Sequence, residues 1–251
     1  MVNDAFELKR LELALGPQTV RYHASVESSN DLAMTWLREG APAGACIIAD
    51  EQRQGRGRLG RNWVTPAGQA IAVSMVLRPV PSQAERVTFM GALAVAELCE
   101  QFGAAAVGIK WPNDVQINGR KVSGVLPEAA WEGDRLLGVV LGIGVNIRVV
   151  FLEALQSTAT NLEDAVGQPL NRTDVVIFLV QRLRHWMQRL DDPALMQQWR
   201  DRLTSVGQSV RVGEVVGVVE SVDDDGALRV RTSPDRVERV IAGDLSLNVD
   251  E

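Results

Sequence analysis

The chain has 251 residues, 46% of them hydrophobic, and a formal net charge of −6. That length accommodates one large domain plus a small one, and that composition excludes a disordered or fibrous protein. The acidic balance excludes a chain-wide basic stripe for nucleic acid, no apolar run approaches the roughly 20 residues of a membrane span, and the N-terminus lacks a secretory pattern, so a cytoplasmic protein is expected.

In chain order, residues 19–26 and 44–51 are predicted strands, with a helix between them over 28–40 that Ser29 or Asn30 caps and Gly40 stops. Residues 69–79 form a third strand and 83–103 a second, buried helix. From Val107 to Ile147 strand-like runs alternate with turn signals, Asn118-Gly119 and Glu132-Gly133-Asp134 being hairpin turns. Beyond residue 150 the period becomes helical: Val175, Val176, Leu179, Val180, Leu183, Trp186, Met187 and Leu190 share one stripe, and a shorter helix follows near 193–203. From Gln208 short strands separated by turns predict a small antiparallel barrel, with Asp223–Asp225 as a hairpin turn. Cys46 and Cys99, far apart in apolar surroundings, are expected as reduced core thiols. The fold class is therefore α+β: a mixed or antiparallel sheet flanked by helices, then a small barrel.

Four segments carry chemistry. In "EQRQGRGRLGRNW" Gly55, Gly57 and Gly60 alternate with Arg56, Arg58 and Arg61, so backbone N–H groups and guanidinium forks can surround a multi-oxygen anion. It is neither a Walker loop nor a dinucleotide fingerprint, since no Gly-Lys-Ser/Thr follows and Trp63-Val64-Thr65-Pro66 cannot open a helix. "KWPND" sets Lys110, Asn113 and Asp114 at a strand-loop edge, a lysine for phosphate charge beside an acid able to bind Mg²⁺. "GRKVSGVLPE" brings Lys121 and Gly124 out of the Asn-Gly hairpin, and "LGIGVNI" offers Gly142, Gly144 and Asn146 at a strand end.

Together with "SSND" at 28–31, these motifs in this order resemble the biotin protein ligase (biotin–acetyl-CoA-carboxylase ligase) family over nearly the whole chain. The resemblance implies a class II synthetase-like catalytic domain at 20–204, after a short leader at 1–19, and an SH3-like barrel at 205–251. It implies an ATP-dependent ligase that makes biotinyl-5′-adenylate, with Mg²⁺, and transfers biotin to a lysine of a biotin carboxyl carrier domain. By the same resemblance Ser28, Ser29, Asn30, Gln52, Arg56, Gly57, Arg58, Trp63, Lys121 and Gly124 would bind biotin. Arg58, Arg61, Asn113, Lys121 and Asn146 would bind ATP or the adenylate, Arg56, Arg58, Lys121, Lys110 and Asp114 would be catalytic, and Asp114 would hold the metal.

This sequence departs from the family pattern in places. Ser-Ser-Asn stands for Ser-Thr-Asn, Pro127 stands in a usual Leu-Val-Glu so that the strand after Gly124 should be irregular or at an edge, and residues 152–160 hold no aromatic for adenine. With about 20 residues ahead of the catalytic domain, a helix-turn-helix and a repressor role are not expected, nor is any nucleic-acid or membrane partner. A monomer or a homodimer joined through an exposed strand edge both fit. The competing readings are an octanoyl- or lipoyl-transferring ligase of similar fold, and an RNA-binding module using "RGRLGR", which lacks interleaved aromatics.

Overall fold

A computed structural model describes residues 5–247. The first half runs α1 (Leu8–Leu15), β1 (Val20–Val26), α2 (Ser29–Arg38), β2 (Cys46–Gln52), β3 (Ala70–Leu77), α3 (Arg86–Gln101), β4 (Val107–Lys110) and β5 (Asp114–Ile117). There follow β6 (Arg120–Glu132), β7 (Arg135–Asn146), α4 (Glu153–Gln156), α5 (Leu162–Val166), α6 (Arg172–Met187) and α7 (Pro193–Asp201). The chain closes with β8 (Ser209–Val212), β9 (Val215–Val222), β10 (Leu228–Ser233), β11 (Arg236–Val240) and β12 (Leu245–Leu247).

Seven strands form one mixed sheet in the order β1-β2-β3-β7-β6-β5-β4. Only the β1–β2 pair is parallel, because α2 crosses between them, while hairpins and returns make the other pairs antiparallel. Alternation sorts the side chains. Val73, Met75, Leu77, Leu141, Ile143 and Val145 face the core built with α3, α6 and α7, whereas Val76 and Val140 face α2 through Ala33, Trp36 and Leu37. All eight residues of β3 are buried, as a central strand covered on both faces requires.

The predicted hairpin turns are present. Asn118 (φ 50°) and Gly119 (φ 74°) adopt the left-handed pair of a two-residue turn between β5 and β6, and Gly133 (φ 57°) opens the turn into β7. At Pro127 strand β6 pairs with Leu141 of β7, while β5 has ended opposite Gly124, so the proline lies on a locally unpaired edge and no ladder bond is lost.

Some expectations are corrected. The cap of α2 is Ser28, one residue earlier than expected, and its Oγ accepts from the Asp31 N–H at 3.4 Å. The second helix begins at Arg86 because Pro81–Gln83 form a separate 3₁₀ turn. The stretch expected as a leader contains α1, whose Leu11 and Leu15 join the core beside β1 and α6. The C-terminal SH3-like unit is an antiparallel five-stranded sheet, β11-β10-β9-β8-β12, with β11 and β12 at its edges. Asp223–Asp225 do form its hairpin turn, with Arg229 and Arg239 on Asp223 and Arg239 also on Asp225. Cys46 and Cys99 are buried free thiols, and burial pushes them up to about 11 and about 12.

Leu11 is 1% exposed and Leu13 is 87% exposed, so the two leucines of one helix separate packing from propensity. Leu11→Ala should lower the unfolding free energy by about 2–4 kcal/mol in urea titration, and Leu13→Ala should leave the midpoint nearly unchanged. Equal losses would show that α1 does not contribute to the core.

Candidate active site

On the α2 side of the sheet lies a cavity of about 220 Å³. Its floor is made of glycines. The β6–β7 register sets Gly124 opposite Gly144 and Leu126 opposite Gly142. A Cβ on Gly142 would stand 2.3 Å from Asn30 Oδ1, and one on Gly144 would stand 2.1 Å from Trp63 Nε1. Asn30 and Trp63 therefore rest on bare backbone, a contact that any side chain at these two positions would block.

The arginine–glycine loop reaches over this floor as an irregular hairpin. Gln52 N donates to Thr65 O at 3.2 Å, Trp63 N to Gly55 O at 2.8 Å, and Gly57 N to Arg61 O at 2.7 Å. Gly55 is required by close approach, since a Cβ there would meet Trp63 O at 2.3 Å. Trp63 thereby lies against Gly124 and Gly144, with Lys121 Nζ 5.6 Å from its ring centre and its own indole nitrogen buried without a hydrogen-bond partner among the described residues.

The polar end of the cavity is an ordered network. Gln52 Oε1 accepts from both Ser29 N and Ser29 Oγ at 2.8 Å, which fixes the amide's orientation, and Gln52 Nε2 donates to Thr65 Oγ1 at 3.2 Å. Ser74 Oγ lies 2.7 Å from Ser29 Oγ and 2.6 Å from Asn30 Oδ1, and Asn30 Nδ2 donates to Glu128 Oε2 at 2.5 Å. At this end of the cavity, the Ser28 hydroxyl proton and one N–H of Gln52 have no partner among the described residues. Both are donors, so this end suits a ligand oxygen.

The other end is cationic, and all but one of its charges are already countered. Arg56 grips Asp31 through two bonds of 2.7 and 2.9 Å and also approaches Glu128 at 3.2 Å, which holds the Asp31 carboxyl below its usual range. Arg58 donates to Asn113 Oδ1 and to Gly243 O, both at 2.9 Å, and Arg61 pairs with Asp244. Lys121 Nζ is 2.6 Å from Asp114, while Lys110 makes no hydrogen bond or ion pair among the described residues. Three loop arginines close together are thus not three uncompensated charges: protein acceptors occupy the guanidinium groups that an anionic ligand would compete for.

Of the sequence-predicted residues, Ser28, Asn30, Gln52, Arg56, Gly57, Arg58, Arg61, Trp63, Lys110, Asn113, Asp114, Lys121 and Gly124 line this one cavity. Ser29 and Asn146 do not. Ser29 stands behind Gln52, and Asn146 Nδ2 turns to Thr160 O at 3.2 Å. Thr160 N in turn bonds Lys121 O, so Asn146 reaches the cavity only through the Lys121 backbone. Ser74, Asp31, Glu128 and Asp244 escaped the sequence reading. Ser74 had a signal, as the one hydroxyl in an otherwise apolar strand, whereas Asp244 had none.

The residues from 22 to 146 match the model of the biotin/lipoate A/B protein ligase family. The bifunctional ligase/repressor BirA of Bacillus subtilis is 31% identical over 243 residues, covering 92% of this chain and 74% of the relative. A biotin–acetyl-CoA-carboxylase ligase of Paracoccus denitrificans is 34% identical over 226 residues, covering 83% of this chain and 92% of the relative. Among solved structures, the biotin protein ligase from Aquifex aeolicus in complex with biotin and ATP superposes with a TM-score of 0.78 at 23% identity, over 92% of this chain and 99% of that one, a likeness of fold.

Gly144→Ala should unseat Trp63 and expose its indole, shifting the protein's tryptophan emission to longer wavelength. In a Trp63→Phe background the same substitution should give no shift. A shift of equal size in both backgrounds would place the disturbance elsewhere.

Proposed function

From the premise that the chain belongs to the biotin/lipoate A/B protein ligase family and is a biotin protein ligase, we propose that the cavity under the arginine–glycine loop performs both half-reactions. In the first, a carboxylate oxygen of biotin attacks the α-phosphorus of ATP, the bond to the bridging oxygen breaks, and pyrophosphate leaves. In the second, a lysine amine of the acceptor attacks the acyl carbon of biotinyl-adenylate, AMP leaves and the amine gives up a proton. The observation that carries this reading is the polarity of one cavity: spare donors at Ser28 and Gln52 at one end, cations at the other.

The ureido oxygen of biotin fits the donor end, with Ser29 holding Gln52 and the Asp31 N–H bonded to Ser28 Oγ. Gly124 gives the bicycle room and Trp63 covers it. Arg56 and Gly57 border the carboxylate, and Arg58, Lys121 and Lys110 offset the charge gathering on the transferring phosphorus. Arg61 and Asn113 serve the adenylate, and Asn146 supports it indirectly by holding Thr160. Asp114 fits a role toward Mg²⁺, because one carboxylate with phosphate oxygens is the donor set this ion uses when it travels with a nucleotide. In this reading Mg²⁺ would arrive as part of the MgATP substrate, where it would neutralise triphosphate charge. As the acceptor we propose the biotin carboxyl carrier domain of acetyl-CoA carboxylase, as the compartment the cytoplasm, and as the activity ligation without operator binding.

Biotin, but neither lipoate nor octanoate, should support exchange of labelled pyrophosphate into ATP, and labelled biotin should pass to a carrier domain. Lys121→Ala should slow that exchange about ten- to a hundredfold, the effect of losing one charge-assisted hydrogen bond of roughly 1.5–3 kcal/mol. Exchange driven by lipoate, or none by biotin, would overturn the reading. Retardation of a biotin-operon promoter fragment would overturn the last clause alone.

A further inference from the structure

Glu128 has no part in either half-reaction as assigned, yet its carboxylate joins two groups that frame the cavity. We propose that Glu128, with Asp31, is a positioning residue of the ligase: it sets the amide of Asn30 on the cavity floor and ties Arg56, and with it the arginine–glycine loop, above that floor. The inference rests on the ligase reading, but the latch itself can be tested without turnover.

The geometry at Asn30 comes first. Its side chain lies on the bare backbone of Gly142, so no Cβ at that position limits its rotation. Its orientation depends on hydrogen bonds. A carboxylate only accepts, so Glu128 Oε2 at 2.5 Å obliges Asn30 to present its NH₂, which turns Oδ1 to the Ser74 hydroxyl at 2.6 Å. Ser74 in turn touches Ser29, and Ser29 holds Gln52. The acid thus sets which way the Asn30 amide faces on the cavity floor, and with it the direction of the Ser74 hydroxyl proton. Remove the carboxylate, and the Asn30 NH₂ keeps only the longer bond to Leu126 O at 3.4 Å among the described residues, so the amide is held less firmly.

Arg56 is the second group. Its Nη2 lies 3.2 Å from each Glu128 oxygen while its fork closes on Asp31. The guanidinium is 40% exposed and the two acids 58% and 32%, so these ion pairs add little to global stability. Their effect is local, since they bridge the loop to α2 and β6. A substrate carboxylate near Arg56 would enter competition with both acids, so the same contacts that close the empty loop also set how readily it opens.

Three variants separate the parts. Asp31→Asn weakens the Arg56 tie alone, Glu128→Gln removes the charge but keeps an oxygen for Asn30, and Glu128→Ala removes both. Without substrates, tryptic cleavage after Arg53, Arg56, Arg58 or Arg61 should be about three- to tenfold faster in all three, at an unchanged thermal midpoint. Glu128→Ala should also raise KM for biotin in pyrophosphate exchange about three- to tenfold more than Asp31→Asn does, and Glu128→Gln should restore most of that difference. Cleavage at the rate of the unaltered protein in Asp31→Asn and Glu128→Gln sinks the latch. Equal biotin KM values in Glu128→Ala and Asp31→Asn sink the role at Asn30. If the unaltered protein makes no adenylate, the ligase reading fails, and cleavage still decides the latch. Should Glu128→Ala fail to fold, the exposed Asp31→Asn and the conservative Glu128→Gln carry the test.

Discussion

A sheet that must be filled on one face and hollow on the other governs this molecule. Strand β7 lies between β3 and β6, with Leu141, Ile143 and Val145 buried against the helical core, while the alternate residues Gly142 and Gly144 leave the opposite face bare. Glycines in a strand cost conformational entropy and contribute no packing, so such a strand persists only where both of its edges are paired. That condition is met here by a ladder to β3 running from Leu77↔Val139 to Ala70↔Asn146 and by the long hairpin with β6. The depression in turn demands a cover. Asn30 comes from α2, whose apolar face packs on the same side of the sheet, and Trp63 comes from a loop that has to cross the hollow to reach it.

Covering a hollow with an arginine-rich loop raises an electrostatic difficulty that the protein resolves within itself. Five cations and two carboxylates line the cavity, and further acids stand just outside it to hold Arg56. Cations kept in place by weak, partly exposed partners remain available, because a phosphate or carboxylate in a drier cavity offers a stronger interaction than an exposed aspartate does. Donors arranged before the substrate arrives need little reorganisation when charge develops. Lys110 stands apart as the cavity cation whose side chain has no partner among the described residues to give up.

Local signals made much of this legible in the sequence. The hairpin turns follow from Asn118-Gly119 and Gly133, the core strands from unbroken apolar runs, and the helical stripe from Val175 to Trp186. The order of the motifs brought most of the cavity's residues onto the page before any coordinates. What stayed hidden depends on contacts between distant parts of the chain: Asp31 with Arg56 is separated by 25 residues, Arg56 with Glu128 by 72, and Arg61 with Asp244 by 183. Neither period nor turn chemistry encodes such pairs. The position of the Asn146 amide stayed hidden for a related reason. Its strand is set by pattern, but the direction of its amide is set by the Thr160 carbonyl that the chain brings back beside Lys121.

The C-terminal sheet shows how far those distant contacts reach. A unit of about 40 residues buries too little to stand alone, and its Val210, Val219, Leu228 and Val230 share one continuous core with the large sheet. Its docking points belong to the cavity motifs. The indole of Trp111, between Lys110 and Asn113, donates to Gly226 O at 2.8 Å, where a Cβ would come within 2.0 Å of Phe89. Arg58 donates to Gly243 O, and Arg61 pairs with Asp244. The same two segments that supply charge to the cavity therefore also fasten the small sheet. A shift of that sheet must move Gly243 and Asp244, and with them two of the three arginines over the site. In this fold the placement of the accessory unit and the closure of the loop are one mechanical problem, solved by carbonyl and carboxylate oxygens on the accessory side and guanidinium groups on the other.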